Sequence, residues 1–521
     1  MKRYQDAFNP ATGEIIGNSE LHDLNDLASM LKLAREAQKL WEEFSVYERV
    51  KWIKRIRKFL IDNSDRIAET ISKSNGKTKI DALATEVMPA AMALTYYCKN
   101  APKFLRDQKL KAGNIILLNK RSKLIKTPFG IIGIISPNNY PFAIPFSEVI
   151  IGLLAGNVVI LKTAKEALLV GAILKEAIDS VQLPPGVFQL INLPGKIAGD
   201  AFIESGMDKI FFTGSVQVGK YLYEKAAKYL TPVCLELGGN DAMIVCEDAD
   251  PYRAAVGALW AGFQNAGQSC GGVERIYVHQ KIYDEFMAIL KEKINSLRVN
   301  YFEDYDSDMG CMTTESQIRT VANHVEDAIA KGAKIFAQSK IPDKPNLKNF
   351  YPATVLTDVN HDMILMKEET FGPVVGVMKF ENYDDAIKLT NDSDLGLTGS
   401  VWTKSNIRGE TIARQIKAGV VTINDHLMSH GLPETPWGGF KNSGIGRTHG
   451  KIGFDEMTQL TVIVKDVLPL VKKNLWWHPY SKDLYDALKG TTDFLYSDKF
   501  LIKIKGCIAF LKVFPRMFNK K

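Results

Sequence analysis

One cysteine stands among residues with almost no bulk in the stretch FQNAGQSCGGVERIYV, residues 263–278. Gly267, Gln268, Ser269, Gly271 and Gly272 give Cys270 little to pack against, whereas a cysteine of ordinary role is a small apolar residue among larger ones. Glycines on both sides let another molecule approach the backbone and leave the Cys270 N–H able to donate. A thiolate so placed attacks carbonyl carbon, and the thioester it forms has a good leaving group. Packing residue and nucleophile both stand as readings of the stretch alone. CLELGGND sets Glu236 between two leucines before a Gly-Gly turn. It is either a solvent-facing boundary residue or a partly desolvated carboxylate with the raised proton affinity of a general base. ISPNNYPFAIP holds Asn138 and Asn139 in a proline-bounded turn. Asparagines in turns commonly satisfy backbone; an amide fixed at the end of a strand can instead join the Cys270 N–H in an oxyanion hole. In KEETFGPVVGV, Glu369 offers a carboxylate for sugar hydroxyls and Phe371 an apolar wall.

These side chains need a frame. The segment from residue 20 to 110 carries apolar residues at helical spacing, as in DLASMLKLAREAQKLWEEF. From about Lys123 short β-branched runs punctuated by glycine, GIIGIISP, AGNVVILK, VFQLINLPG and KIFFTG, alternate with helix-like stretches, followed by a second set, DAMIVC, ERIYVH, AKIFAQ, YPATVLTDV and GVVTIN. Strand–helix alternation predicts α/β architecture with doubly wound parallel sheets, whose ligands sit beyond the carboxyl ends of the strands. Two sets of runs meet near Leu237–Asn240. FFTGSVQVGKYLYEKA also has the glycine and lysine spacing of a triphosphate cradle, with Gly214, Gly219 and Lys220. Tyr221 stands where that motif needs a Ser or Thr on magnesium, which weakens a P-loop nucleotidase.

A chain of 521 residues, 46% apolar, calls for two or more domains. Its six cysteines show no metal-ligand or disulfide spacing, so no metal site is expected and a reducing, cytoplasmic compartment is. The polar start MKRYQDAFNPATGEIIG carries no leader-like apolar run. The net charge of +7 equals the seven basic residues from Lys499 to Lys521, where no acid occurs, so the body of the chain is balanced and nucleic-acid binding gains no support.

Taken together, the cysteine segment, LELGG, PNNYP, FTGS with its later glycine, EETFGPV and PWGGFKNSGIGR resemble the aldehyde dehydrogenase superfamily in order and spacing, from NPATGEIIG to about Thr461. The resemblance implies two Rossmann-like domains and a small β bridging element. It assigns residues 1–111 and 131–237 to dinucleotide binding, 238–454 to catalysis, and 112–130 with 455–467 to a bridge that joins a homodimer or homotetramer. It implies that Cys270 attacks an aldehyde, that Asn139 and the Cys270 N–H hold the oxyanion, and that Glu236 activates water to hydrolyse the thioester. NADP or NAD is the implied cofactor. Lys162 would meet the adenosine ribose, Gly214, Ser215 and Gly219 the diphosphate turn, and Glu369 with Phe371 the nicotinamide ribose. A coenzyme A-acylating relative is the alternative, opposed by Glu236.

Three departures stand out. Members that prefer NAD usually carry glutamate where Lys165 stands, so Lys165 either favours the 2′-phosphate of NADP or only faces water at a helix start. Asn240 replaces a common lysine, with no function evident. Residues 468–521 form a basic, aromatic extension in which Phe500, Ile504, Cys507, Ile508, Leu511 and Phe514 share one helical face. That face either meets an anionic membrane surface, making the enzyme peripheral, or packs on the core or across a dimer; it is too short for the ~20 residues of a span. A long-chain or isoprenoid-like aldehyde is the substrate expected with a membrane contact.

Overall fold

Short apolar runs become the strands of two sheets in the computed structural model, which describes residues 3–301, 305–468 and 470–519. The first sheet has the order Gly444–Ile445, Val233–Glu236, Lys209–Thr213, Ile131–Ile135, Val158–Lys162, Phe188–Leu190. All neighbours are parallel except Gly444–Ile445, which runs antiparallel to Val233–Glu236. IIGII and VVILK are buried along their whole length, as strands covered by helices on both faces must be. The chain winds outward in both directions from Ile131–Ile135, so the switch point lies between that strand and Lys209–Thr213. Ligands of doubly wound sheets bind at such a point, and here it is bordered by Ser136–Asn139 and Gly214–Ser215.

The second sheet has seven strands in the order Lys334–Gln338, Thr354–Thr357, Val374–Phe380, Val273–His279, Asp241–Val245, Thr398–Trp402, Val420–Ile423. Only Lys334–Gln338 is antiparallel to its neighbour. Each sheet centres its own apolar cluster. Cys270 and Glu369–Phe371 immediately precede strands of the second sheet, whereas Asn139, Gly214 and Glu236 end or follow strands of the first. The α/β, doubly wound expectation therefore holds. Between Leu24 and Phe104 the expected helices appear, two of them started by reciprocal capping boxes, Asp23 with Asp26 and Ser45 with Glu48. The alternation does not single out Val233–Glu236, Val374–Phe380 or Thr398–Trp402, nor the opening hairpin of Arg3–Phe8 on Ile15–Leu21.

The described residues fall into two compact units. One takes the chain up to Arg106 and Lys126–Gln459; the other takes Asp107–Ile125 and the chain from Leu460. In the second unit a three-stranded sheet orders Thr458–Asp466, Lys120–Pro128 and Gln108–Leu110. Helices Lys482–Tyr496 and Phe500–Val513 pack together through glycine: a Cβ on Gly506 would lie 2.1 Å from the Gly490 carbonyl oxygen. Of the apolar stripe expected on the last helix, Phe500, Ile504, Ile508, Leu511 and Phe514 are exposed and Cys507 is half-buried. No helix among the described residues is long and apolar enough to cross a membrane. Lys520 and Lys521 of the basic run lie outside the described residues.

Candidate active site

The approach to Cys270 is a sharp turn. Asn265, Ala266 and Gly267 are successively left-handed, at φ 54°, 53° and 70°. Such backbone costs ~1–3 kcal/mol at a residue like Ala266 and persists only where surroundings impose it. Here they do. The Asn265 amide donates to the carbonyls of Asn139 and Gln268 at 3.0 and 3.1 Å, and Gln268 donates back to the Asn265 carbonyl at 3.0 Å. Thr313 N–H donates to the Gln268 side chain at 2.9 Å. Gly267 has room for no side chain, since a Cβ would lie 2.1 Å from the Gly372 carbonyl oxygen. Cys270 emerges half-buried. Burial, then the carboxylates of Glu369, Asp241 and Glu236, push its thiol well above the usual range, so a base must take its proton.

Asn139 is buried, and its side-chain amide donates to the Gln268 carbonyl at 3.2 Å, inside the cysteine turn. Its backbone carbonyl accepts from Lys77 Nζ at 2.8 Å. Lys77 is wholly enclosed and paired with Glu86 at 2.7 Å, while the other Glu86 oxygen accepts from Phe142 and Ala143 N–H at 2.7 and 3.2 Å. One buried ion pair thus fixes both the Asn139 turn and the start of helix Ala143–Ala155. Sequence reasoning missed Lys77 and Glu86; the charge of Glu86 in the apolar run LATEVMPA is the only sign it offered.

Glu236 closes its strand at 5% exposure, and neither carboxylate oxygen has a hydrogen-bond partner among the described residues. Burial raises its proton affinity well above the ordinary value, the nearby Glu148 adds to that, and Arg447 opposes it. The two glycines after it bring three functional groups together. A Cβ on Gly239 would lie 2.1 Å from the Cys270 carbonyl oxygen, and the Gly239 N–H donates to Glu369 Oε1 at 3.0 Å. Glu369 also sits well above the usual carboxylate range, through burial and the nearby Glu274. Asn240, which has no evident function in the sequence alone, braces this loop by donating to Glu274 at 2.8 Å and to the carbonyls of Leu365 and Glu368, both at 3.1 Å. Glu274 in turn accepts from the N–H groups of Thr370 and Phe371, at 2.9 and 2.8 Å, and holds Phe371 at φ 50°.

Two openings serve these groups. A cavity of about 270 Å³ reaches Cys270 between mostly apolar walls that include Met88, Ile144, Trp260, Leu427 and Trp437. A wider cleft of about 770 Å³ is lined by Ser215, Gln217 and Glu369, a volume within the ~300–1,000 Å³ range of cofactor sites. Ser215 caps helix Val216–Ala227, accepting from Val218 N–H at 3.4 Å, so a helix N-terminus with its partial positive charge opens on this cleft. With Glu369 half-buried on the other side, the donor set fits a dinucleotide. The remaining sequence-named positions lie outside the cleft lining. Gly214 N–H donates to the Glu236 carbonyl at 3.0 Å. Gly219 sits inside the helix, where its missing side chain admits Leu237. Lys162 ends its strand buried, its ammonium disfavoured by desolvation and favoured by Glu166. Lys165 is exposed, with Nζ 3.7 Å from Glu166.

The triphosphate-cradle alternative fails on this geometry. Lys220 lies exposed in the helix, and the Tyr221 hydroxyl donates to Asp200 at 2.8 Å. His426 braces Gly271, whose carbonyl lies 3.1 Å from its Nε2.

The chain matches the family model described as "Aldehyde dehydrogenase family" over residues 2–463. It is 38% identical over 499 residues to 4,4'-diapolycopene aldehyde oxidase of Methylomonas sp, covering 95% of this chain and 92% of that protein. Since 95% is more than residues 1–463 supply, that likeness continues into the extension. Among solved structures, the chain is similar to betaine aldehyde dehydrogenase from Staphylococcus aureus in complex with NAD+, with a TM-score of 0.85, 29% identity, and coverage of 92% of this chain and 94% of that one. An NADP dependent enzyme of E. coli gives a TM-score of 0.85 at 28% identity, covering 89% and 95%.

Proposed function

The chain belongs to the aldehyde dehydrogenase family, and on that premise we propose that it oxidises a long apolar aldehyde to the carboxylic acid through a thioester on Cys270. The observation that carries this reading is the convergence at Gly238–Gly239, which sets the Cys270 backbone, the unpartnered Glu236 and the Glu369 carboxylate around one point. Cys270 Sγ bonds to the aldehyde carbon as its proton passes to Glu236. The oxyanion accepts from Asn139 Nδ2 and the Cys270 N–H, donors held by the Asn265 and Lys77 contacts before charge develops. NAD(P)+, when bound, supplies the two-electron oxidant. Glu236 gives the thiol proton up to solvent and then takes one from water as the water oxygen adds to the thioester; the C–S bond breaks, and the departing thiolate takes that proton back as the acid is freed. Glu236 lines a small cavity together with Cys270, which favours hydrolysis over transfer to coenzyme A. Lys162, Ser215, Glu369 and Phe371 would hold the dinucleotide, with Gly214 and Gly219 shaping the turn between them.

The substrate class rests on the apolar walls of the cavity at Cys270 and on the 38% identity to 4,4'-diapolycopene aldehyde oxidase. A panel of aldehydes from short charged to long apolar, with each dinucleotide and with or without coenzyme A, tests it: kcat/KM should rise with apolar length and ignore coenzyme A. A short charged aldehyde turning over best would overturn the substrate class. In the same assay Lys165→Glu should shift the NADP-to-NAD ratio of kcat/KM at least about tenfold toward NAD, a change of ~1.4 kcal/mol. The exposed pair with Glu166 is weak and leaves Lys165 free to turn toward a 2′-phosphate. An unchanged ratio removes that role.

We assign the working state to a homodimer or homotetramer in the cytoplasm. The exposed row Leu460, Val462 and Val464 on strand Thr458–Asp466 supports pairing with a second copy. The outward stripe of the last helix, flanked by Lys503, Lys505 and Lys512, supports a peripheral contact with anionic lipid. Full-length protein should sediment with anionic vesicles and much less with neutral ones, while a chain ending at Lys472 stays in the supernatant. Equal recovery of both chains in the supernatant would end the membrane assignment.

A further inference from the structure

Helix Ala143–Ala155 is buried at every position and contains one charged residue, Glu148. A carboxyl at 3% exposure in such a helix is costly unless it is neutral or has work to do. Glu148 faces a cavity of about 10 Å³, shared with Thr213, Glu236, Cys270, Thr448 and His449. That is close to the smallest space able to hold one water, which also needs two to four polar partners. The cavity offers them: Thr213 Oγ1, His449 Nδ1 and both Glu236 oxygens have no partner among the described residues. The pocket thus lies between the nucleophile and two buried carboxyl groups, with the polar atoms a single water requires.

We propose that Glu148 is a positioning residue for thioester hydrolysis: it holds one proton in common with Glu236 around this cavity, and so sets when Glu236 is free to act as base. This rests on Glu236 being that base. With Glu148 ionised, its negative charge keeps the common proton on Glu236. Loss of that proton as pH rises frees Glu236 to take the water's proton; as acid is added the proton returns and hydrolysis stops. Burial raises the Glu148 carboxyl to about 8, and its charge in turn raises Glu236. The other groups around Glu236 are Arg447, which favours its charge, and Glu456, which opposes it and is tied to Lys209 at 2.5 Å. The thiols of buried Cys234 and half-buried Cys270 are pushed up, and His430, at about 4, and His449 are held neutral by burial. Glu148 is therefore the titrating neighbour that distinguishes this base from an isolated buried carboxylate.

An activated ester such as 4-nitrophenyl acetate tests this on the full chain, because its burst reports acylation of Cys270 and its steady state reports deacylation. Glu148→Gln keeps the shape and removes the charge that holds the common proton on Glu236, and the acid limb of deacylation should move down by about one pH unit. Glu148→Leu should move it the same way. The unmodified enzyme should show a limb broader than one ionisation, as two interacting sites require. A role confined to packing would lower rate or melting temperature and leave the limb in place. Limbs of both variants that overlay the parent, or a parent limb fitting a single ionisation in the ordinary carboxylate range, would overturn the inference. Glu236→Gln separates the two claims: if it deacylates normally, the base assignment fails; if it is inactive while Glu148→Gln leaves the limb unmoved, only the role of Glu148 fails.

Discussion

Cys270→Ser is expected to lower kcat for every responsive aldehyde by about 10⁴-fold or more, on the scale at which loss of a covalent nucleophile acts. The reason is local. The carboxylates of Glu369, Asp241 and Glu236 surround the position and oppose a negative charge there, so even the thiol needs a base. A serine hydroxyl, far less acidic, would remain protonated beside the same groups, and the alkoxide expelled from a serine ester is a poorer leaving group than the thiolate expelled from a thioester. Dinucleotide binding should survive, because Ser215 and Glu369 do not depend on the sulfur for their positions. Alkylation gives a second readout. Cys98, Cys246 and Cys311 are buried, with thiols pushed up to about 12, and burial pushes Cys234 well above the usual thiol range. Once half-buried Cys507 is replaced, inactivation by a small alkylating reagent should follow one site. Turnover unaffected by Cys270→Ser would remove the thioester route altogether.

The parts of this enzyme legible in its sequence are those whose cause is local. Runs such as IIGII and VVILK are apolar along their length because both faces are covered, and that signature needs no knowledge of the fold. Cys270 announced itself by the smallness of its neighbours. The stripe on the final helix was also readable, because a period of 3.6 residues is a property of the segment itself. What stayed hidden depends on partners far away in the chain. Lys77 follows a helix-ending glycine and looks like any surface lysine, yet it is enclosed, with Glu86 and the Asn139 carbonyl as its partners. Asn240 seemed a neutral substitution until Glu274, 34 positions on, appeared beside it. Gly219 carried the look of a phosphate glycine, while its Cα faces Leu237, which a side chain there would displace. Glu148 lies in a helix whose apolar neighbours make one carboxyl look incidental; only the cavity it shares with Glu236 gives it meaning.

Glu236→Gln should separate the two halves of the reaction. At neutral pH the variant loses the base that takes both the thiol proton and the water proton, and steady-state turnover should fall by about 10²–10⁴-fold, the span attributed to general-base catalysis. The halves then respond differently to alkali. Thiolate forms without help as pH rises, so the burst of reduced dinucleotide, up to one per active site, should return. Water has no comparable route: its proton still needs an acceptor inside a cavity sized for one molecule, and the glutamine amide does not provide one. Turnover should therefore remain depressed at a pH where the burst is fast, and the acyl group should accumulate on Cys270, detectable as added mass on the intact chain. Hydroxylamine, nucleophilic without a base, should discharge it. In the parent enzyme, activity should rise with pH through the Glu236 ionisation, which burial and Glu148 hold above the usual carboxylate range, because only the ionised form accepts the proton. Turnover of Glu236→Gln within tenfold of the parent across the pH range would show that water is activated elsewhere, and the buried, unpartnered carboxylate at the end of its strand would need another purpose.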